Sequence, residues 1–199
     1  GQNVVTQVPA ARWDSDPNFS TVEVIANRVR HGGFVPGPEL FDSAAFAISP
    51  AEVANSDPQQ RVLLEIGYTA LHSSAFDRAA LSGSGTGVFV GILGGGEYAM
   101  VHAASPAAGS VYASTGSVTA VASGRVSYAL GLQGPCASFD TACSAALTAG
   151  HTGLRALQLD ECNTGLVCGV RLIISSHHSK VHAAAGMTSA TGRCHTFDK

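Results

Sequence analysis

The stretch Ser138–Leu147, "SFDTACSAAL", places one cysteine between an extended segment and a helical one. Residues 136–140, "CASFD", are predicted to form a short strand, and residues 143–159 are predicted to form a helix. The first turn of a helix presents unpaired backbone N–H groups and the positive end of the helix dipole. Cys143 therefore occupies a position that favours a reactive thiolate.

The neighbours of Cys143 have small side chains, which permit a sharp turn and the approach of a substrate carbonyl group. The N–H group of Cys143 is then placed to donate a hydrogen bond to a developing oxyanion. This geometry is similar to the nucleophile elbow of serine hydrolases, with sulfur in place of the hydroxyl group. A buried structural cysteine is the alternative, and placement alone leaves both interpretations open. The small neighbours are Thr141, Ala142, Ser144, Ala145 and Ala146.

Apolar segments on either side of this junction predict further strands and helices. "TGVFVGIL" (86–93) is typical of a buried strand in a parallel sheet, and "TGLVCGVRLII" (164–174) is predicted to be another apolar strand. Residues 117–130 are predicted to form a helix that ends near Gly131. The resulting order of strand, helix, strand, helix, strand predicts an α/β fold with a parallel or mixed sheet.

Two segments carry the pattern of a helix start. In "SPAE" (49–52) and "DPQQ" (57–60), a polar capping residue precedes proline, and glutamate or glutamine follows three residues after the cap. The second helix is predicted to continue to about Leu71. Residues 1–40, which are punctuated by prolines, and the tail after Ser175 are predicted to be loops.

Helical spacing also predicts which side chains face the interior. In the helix that follows Cys143, Leu147, His151 and Leu154 are predicted to point inward, with Leu157 or Gln158 after them. His151 lies two turns beyond Cys143, too far to contact its sulfur, and is interpreted as a packed helix histidine. The apolar faces predicted for the other two helices are Val62, Leu63, Ile66, Ala70 and Leu71, and Val118, Val121, Ala122, Val126 and Ala129.

The composition excludes several classes of function. Hydrophobic residues make up 45% of the 199 residues and charged residues 13%, which indicates a folded chain with a sizeable core. The net charge of −3 gives no basic surface for nucleic acid or anionic membranes. No segment is long and apolar enough to insert into a membrane, and the N-terminal residues lack the pattern of a signal peptide. We expect an intracellular, by default cytoplasmic, location, with organelle targeting left open.

The cysteines and histidines show no metal-binding pattern. The 5 cysteines are not in zinc-site spacing, so reduced thiols are expected. Cys168 lies inside an apolar segment and is predicted to be in the core, and Cys162 falls near a helix end. His177, His178 and His182 are interpreted as surface loop histidines rather than metal ligands.

Beyond these patterns, "DTACSAAL" (140–147) resembles the active-site motif of β-ketoacyl synthases, the condensing enzymes of fatty acid and polyketide synthesis. Further segments resemble, in order, ketosynthase domains of type I modular polyketide synthases, so that the likeness extends over nearly the whole chain. These segments are "VPAARWD" (8–14), "RHGGFV" (30–35), "LFDSAAFAISPAEVANSDPQQRVLLE" (40–65), "GVFVGI" (87–92), "SGRVSYALGLQGP" (123–135) and "AGMTSATGRCHTFDK" (185–199).

The resemblance implies a thiolase-like fold with layers in the order α-β-α-β-α, usually as a homodimer. It implies that Cys143 is the nucleophile that accepts an acyl chain from an acyl carrier protein, with its own N–H group as one oxyanion donor. Decarboxylation of a carrier-bound malonyl unit then gives a carbanion that attacks the acyl thioester. The phosphopantetheine arm belongs to the carrier protein, and the resemblance implies no cofactor or metal bound to this chain.

The sequence departs from the family pattern in several places. The family's two catalytic histidines, in His-Gly-Thr-Gly-Thr and Lys-x-x-x-Gly-His settings, have no match here, and neither does its first strand. Residues 1–199 are therefore interpreted as the N-terminal half of a single ketosynthase domain that is not competent for condensation alone. Ala145 and Ala146 replace serines that are common in the family. Cys168 replaces a frequent glycine, and Cys143 argues against the decarboxylating subtype that carries glutamine at this position.

Two alternative functions remain at this stage. "GGGEYA" (94–99) fits the G-x-G-x-x-A pattern of dinucleotide sites and follows a predicted strand, but no acidic residue lies about twenty positions further on. The chain is also compatible with a non-catalytic module that dimerises or docks a carrier protein. An apolar face on helix 117–130 that the sheet does not use would favour this second alternative.

Overall fold

The computed structural model describes residues 4–13, 23–94 and 96–195. Parts of the predicted N-terminal loop, Gly95 of the glycine pattern and residues 196–199 of the last ketosynthase-like segment therefore lie outside the described residues. The chain divides into two compact units, Gly1–Pro36 with Ile173–Lys199, and Gly37–Leu172.

The helices of the described residues are mostly short, and their bounds follow in chain order. They are α1 (Glu23–Arg28), α2 (Pro50–Ala54), α3 (Pro58–Ser73), α4 (Arg78–Leu81), α5 (Gly96–Ala103), α6 (Ala113–Gly116), α7 (Val121–Leu130), α8 (Ala145–Gln158) and α9 (His177–Ala184). None of them is long and apolar enough to cross a membrane.

The strands form one sheet in each unit. In the first unit, β1 (Val5–Gln7) pairs antiparallel with β2 (His31–Gly33). In the second unit, β3 (Thr86–Ile92), β4 (Cys136–Phe139) and β5 (Thr164–Val170) form a parallel sheet with the order β4-β3-β5. The predicted succession of strand, helix, strand, helix, strand is confirmed by β3, α7, β4, α8 and β5.

The prediction that residues 1–40 and the tail after Ser175 are loops was wrong for part of both. The first region contains β1, α1 and β2, and the second contains α9. β2 has the sequence "HGG", whose glycines have low strand propensity, so its pairing with β1 rather than its own composition makes it a strand. His177, His178 and His182 accordingly lie in a helix and not in a loop.

The central strand β3 is buried on both faces, as predicted for a parallel sheet. Val88, Val90 and Ile92 contribute to the main hydrophobic cluster together with residues of α3 and α7. Phe89 points to the opposite face, where it packs with residues of α8. The unit Gly37–Leu172 thus has α3 and α7 on one side of its sheet and α8 on the other.

The two helix starts are confirmed. The Ser49 hydroxyl accepts a hydrogen bond from the Glu52 N–H group, and the Asp57 carboxylate accepts one from the Gln59 N–H group. The inward face predicted for α3 was wrong at two positions, because Ile66 is 61% exposed and Ala70 is also exposed. The residues of α3 that are buried are Gln59, Gln60, Leu63, Leu64, Gly67 and Leu71.

The inward face predicted for α8 was wrong. Leu147, His151 and Leu154 are exposed, and the buried residues are Ala145, Ala149, Gly153 and Ala156. The reason is the short distance between helix and sheet: a Cβ atom on Gly153 would lie 3.0 Å from the Phe89 ring. Only small side chains fit in this space, so the large side chains of the helix point outward, and His151 is not a packed core residue.

Candidate active site

Cys143 lies in a short turn between the end of β4 and the start of α8. Residues Ala142–Ser144 form a single 3-10 turn, and α8 begins directly after it at Ala145. Ala142 has φ 54°, in the left-handed region that a residue with a side chain seldom adopts. The Cys143 side chain is exposed. The predicted sharp turn between strand and helix is therefore present, and Cys143 is at its tip.

Glycines in β3 and β5 allow the first residues of α8, directly after the turn, to pack closely against the sheet. A Cβ atom on Gly91 of β3 would lie 2.5 Å from the backbone carbon of Ala145, and one on Gly169 of β5 would lie 2.8 Å from the Ala146 Cβ atom. No real Cβ atom fits at such distances, so both strand positions need glycine. The small residues Ala145 and Ala146 complete the contact on the helix side.

The carboxylate of Asp140 connects the residues that follow β3 and β4, next to Cys143. Its Oδ2 atom accepts a hydrogen bond of 2.7 Å from the Gly94 N–H group, just after β3. Its Oδ1 atom accepts one of 3.3 Å from the Ala142 N–H group, the residue before Cys143. Asp140 belongs to the cysteine motif, but reasoning from the sequence assigned it no role. The available signal was the spacing, because an aspartate side chain often accepts a hydrogen bond from the backbone N–H group two residues later in a turn.

Hydroxyl groups hold the turn on its other side. The Ser144 Oγ atom lies 2.8 Å from the Thr141 carbonyl oxygen and 2.9 Å from the Thr141 Oγ1 atom. Thr141 Oγ1 in turn lies 3.1 Å from Thr148 Oγ1 on α8. These hydrogen bonds connect the residues before and after Cys143, whose side chain is exposed.

The other cysteines differ in accessibility. Cys162 is 7% exposed and packs in the cluster around Phe89. Cys168 is half-buried against the main cluster, and burial raises the pKa of its thiol. Cys136 and Cys194 are exposed like Cys143, but neither lies at a strand–helix junction. Cys168 was predicted to belong to the core, and the structure places it at the edge of the main cluster, partly buried.

Two histidines of the unit Gly37–Leu172 lie outside the turn that carries Cys143. His102 pairs with Tyr98 and Asn55, and His151 is on the exposed side of α8. Among the residues that the structure describes, no group of three or more His, Cys, Asp or Glu side chains is arranged to hold a metal ion.

The glycine pattern at residues 94–99 has a structural use in this fold. The N–H group of Gly94 is already bonded to Asp140, and α5 begins at Gly96. A dinucleotide site would need such N–H groups for its phosphates. This geometry gives no support to the nucleotide-binding alternative.

Comparison with known proteins agrees with the geometry of this junction. Residues 1–199 match the family described as "Beta-ketoacyl synthase, N-terminal domain". The chain therefore belongs to the β-ketoacyl synthase family.

The relatives are bacterial polyketide and related acid synthases. The chain is 39% identical, over 100% of its length, to a mycocerosic acid synthase-like polyketide synthase of Mycolicibacterium smegmatis. It is also 39% identical, again over 100% of its length, to a phthioceranic/hydroxyphthioceranic acid synthase of Mycobacterium tuberculosis. It spans only 9% of the length of each of these two proteins.

Solved structures show the same fold. The ketosynthase from module 6 of the bacillaene synthase of Bacillus subtilis superposes with a TM-score of 0.82 at 30% identity, over 97% of this chain and 31% of that one. An oxazolomycin ketosynthase domain of Streptomyces albus gives 0.83 at 32% identity, over 97% and 34%. The fold is thus the N-terminal part of a thiolase-like ketosynthase, and the prediction of family and fold class is confirmed.

Proposed function

We propose that the protein containing this chain is a ketosynthase that accepts an acyl group on Cys143 and extends it by condensation. The observation that carries the proposal is the exposed Cys143 thiol on a hydrogen-bonded turn between β4 and α8, in a chain of the β-ketoacyl synthase family. The chain's residues 1–199 are then the N-terminal part of one ketosynthase domain.

The first step is acyl transfer. The Cys143 sulfur, as thiolate, attacks the carbonyl carbon of an acyl thioester, and the Cys143 N–H group donates to the oxyanion that forms. The bond between carbonyl carbon and donor sulfur then breaks. The donor leaves as a thiolate and takes up the proton that Cys143 released, so the products are acyl-Cys143 and a free thiol.

The second step is decarboxylative condensation. A malonyl thioester loses carbon dioxide, and its carbanion attacks the carbonyl carbon of acyl-Cys143. A carbon–carbon bond forms and the bond to the Cys143 sulfur breaks, which releases Cys143 as the thiolate and gives a β-ketoacyl thioester. The family's two histidine motifs have no match in residues 1–199, so the chain alone is proposed to be acylated but not to condense.

The proposed partner is an acyl carrier protein whose phosphopantetheine arm presents both thioesters. We further propose a homodimer of the ketosynthase and an intracellular location. All five cysteines are free thiols, which is compatible with a reducing compartment.

Acylation can be tested with the N-acetylcysteamine thioester of a short fatty acid, followed by peptide mass spectrometry. We expect an acyl adduct on the peptide that contains Cys143 in the wild type and none in Cys143→Ser. Cys136→Ser and Cys194→Ser remove other exposed thiols and are expected to retain the adduct. Equal acylation of all exposed cysteines, or none at Cys143, would contradict the proposal.

A non-catalytic interaction module is the second candidate, and one observation favours it. Leu147, Leu154 and Leu157 of α8 are exposed and form an apolar row on its outer side. This row lies on α8 and not on α7, where Ala122 and Val126 are fully buried. If the second candidate is correct, Cys143→Ala leaves function in the natural assembly unchanged, whereas Leu154→Glu abolishes it. Loss of function in both variants favours the ketosynthase.

A further inference from the structure

We propose that Asp140 is a positioning residue that holds the Cys143 N–H group toward the oxyanion of the acyl-transfer step. The inference rests on the proposed function of Cys143 and assigns a specific part of it to a second side chain. It arises from the contacts of the Asp140 carboxylate, from the strained backbone at Ala142, and from the close approach of Gly94.

The carboxylate fixes the turn from two sides. Its two oxygens accept hydrogen bonds from different backbone N–H groups, that of Gly94 at 2.7 Å and that of Ala142 at 3.3 Å. Gly94 follows β3 and Ala142 follows β4, and these two strands pair in parallel with Gly91 opposite Phe139. Asp140 therefore ties the turn that carries Cys143 to the central strand of the sheet.

The hydrogen bond to Ala142 bears directly on the orientation of the Cys143 N–H group. This N–H belongs to the peptide unit between Ala142 and Cys143, so the backbone dihedrals of Ala142 set its direction. Ala142 has φ 54°, a conformation that a residue with a Cβ atom keeps only when its surroundings impose it. If the Asp140 carboxylate is removed, Ala142 is free to relax toward negative φ, and the peptide unit rotates.

Gly94 provides a second means of disturbing the same contact. A Cβ atom at this position would lie 2.9 Å from the Asp140 Oδ2 atom, at the movable end of that side chain. Gly94→Ala therefore displaces the carboxylate while keeping its charge and the aspartate itself. A positioning role predicts that Gly94→Ala and Asp140→Ala have the same kinetic signature.

The test compares two reactions of Cys143 in the complete natural protein that contains residues 1–199. Acylation by the N-acetylcysteamine thioester needs both the thiol and the oxyanion donor, whereas alkylation by iodoacetamide needs only the accessible thiol. We expect Asp140→Ala and Gly94→Ala to slow acylation by about tenfold to a hundredfold, the range for a misplaced catalytic group. Alkylation should change by less than about threefold, since no oxyanion forms in that displacement.

Asp140→Asn gives a graded variant. Its amide has one acceptor oxygen, so it satisfies one of the two N–H groups while its NH₂ group faces the other. We expect its acylation rate to lie between those of the wild type and Asp140→Ala. This partial rescue would not follow from a role of the side chain in bulk packing.

Two matched controls separate the effect from general damage. Gly96→Ala is the same substitution two residues further along, where a Cβ atom meets nothing within 4 Å. Asp77→Asn removes a carboxylate that accepts the Ala80 N–H group at the start of α4, before β3 begins. Both variants are expected to acylate and alkylate Cys143 at wild-type rates.

The outcomes distinguish this inference from the proposed function. If Asp140→Ala and Gly94→Ala are acylated at the same rate as the wild type, the inference is overturned but the proposed function is not. An equal fall of acylation and alkylation, with an earlier unfolding transition, also overturns it, because the role would then be structural. A wild type that is alkylated but never acylated at Cys143 overturns the proposed function and this inference with it.

Discussion

At the scale of single residues, accessibility separates the cysteines more sharply than sequence does. Cys143 is exposed at the tip of a turn, while Cys162 is buried and Cys168 is half-buried in a strand. Burial raises the pKa of the Cys168 thiol, so a smaller fraction of it is thiolate at neutral pH. The same residue type therefore has different chemistry at different places in this fold.

This difference can be measured by alkylation of the native protein with iodoacetamide at neutral pH. We expect rapid labelling of Cys136, Cys143 and Cys194, and labelling of Cys162 and Cys168 only after unfolding in urea. Peptide mass spectrometry resolves the five sites. Labelling of Cys162 in the native state at the rate of Cys143 would contradict the described packing.

Glycine at position 91 illustrates a second effect at this scale. A Cβ atom there would meet backbone atoms at 2.5 Å, so Gly91→Ala must separate α8 from β3. We expect a loss of about 1–3 kcal/mol in the free energy of unfolding, typical of overpacking, and slower acylation of Cys143. Gly124→Ala in α7 is the control, because a Cβ atom there meets nothing within 4 Å, and it should stabilise the protein by about 0.5–1 kcal/mol. Equal urea midpoints of unfolding for Gly91→Ala and Gly124→Ala would contradict the close contact between Gly91 and α8.

At the scale of elements, α8 shows how the surface of a sheet selects the face of a helix. The strand face beneath it contains Gly87, Phe89 and Gly91, which alternate with the Val88, Val90 and Ile92 side chains of the main cluster. The helix approaches this shallow surface closely, and its alanines and glycines fill the interface. Leucines on the same helix are left exposed, although they are the more hydrophobic residues.

The orientation of α8 can be tested by enlarging a side chain on its buried face and, separately, shortening one on its exposed face. Ala149 is fully buried and Leu154 is 53% exposed. We expect Ala149→Leu to lower the free energy of unfolding by about 1–3 kcal/mol because the added atoms have no space. Leu154→Ala should change it by less than about 0.5 kcal/mol, as for other surface sites. The orientation described for α8 is wrong if urea unfolding shows the reverse order.

At the scale of the whole molecule, the unit Gly37–Leu172 combines an apolar core with buried polar groups that connect its helices. The Gln60 Oε1 atom accepts a hydrogen bond of 2.7 Å from Arg125, which also forms an ion pair with Glu52. Three backbone carbonyl groups between residues 115 and 118 lie within hydrogen-bonding distance of the Gln60 amide nitrogen. α2, α3 and α7 are thereby joined through polar contacts and not only through hydrophobic packing.

The stability of the molecule should depend on pH through Asp57, which is 2% exposed. Burial raises the pKa of this carboxyl above 3.8, and this effect exceeds the opposing influence of its hydrogen bonds with Gln59 and of nearby arginines. Between 3.8 and the raised pKa, the unfolded chain has lost the proton and the folded chain retains it. The free energy of unfolding therefore falls as the pH rises through this window.

Asp57→Asn removes this titration and keeps an oxygen that accepts from the Gln59 N–H group. Relative to the wild type, its free energy of unfolding should rise with pH across the window above 3.8 and then stay constant. Urea titrations at a series of pH values test this, with Asp77→Asn as a control for the loss of a capping carboxylate. A difference that is independent of pH would show that Asp57 ionises equally in both states.

The sequence by itself determined the succession of β3, α7, β4, α8 and β5, the two helix caps, the family and the place of Cys143 at a strand–helix junction. These features depend on local periodicity, on capping residues and on a contiguous motif, and all of them act over a few neighbouring residues.

Only the tertiary structure decided which face of α8 is buried, that β2 is a strand, that residues 177–184 are helical, and that Asp140 reaches Gly94. Each of these depends on segments that are distant in sequence and adjacent in space. The sequence of α8 alone favours burial of its leucines, and the glycines of β3 and β5 reverse that preference because they bring the sheet too close for a large side chain.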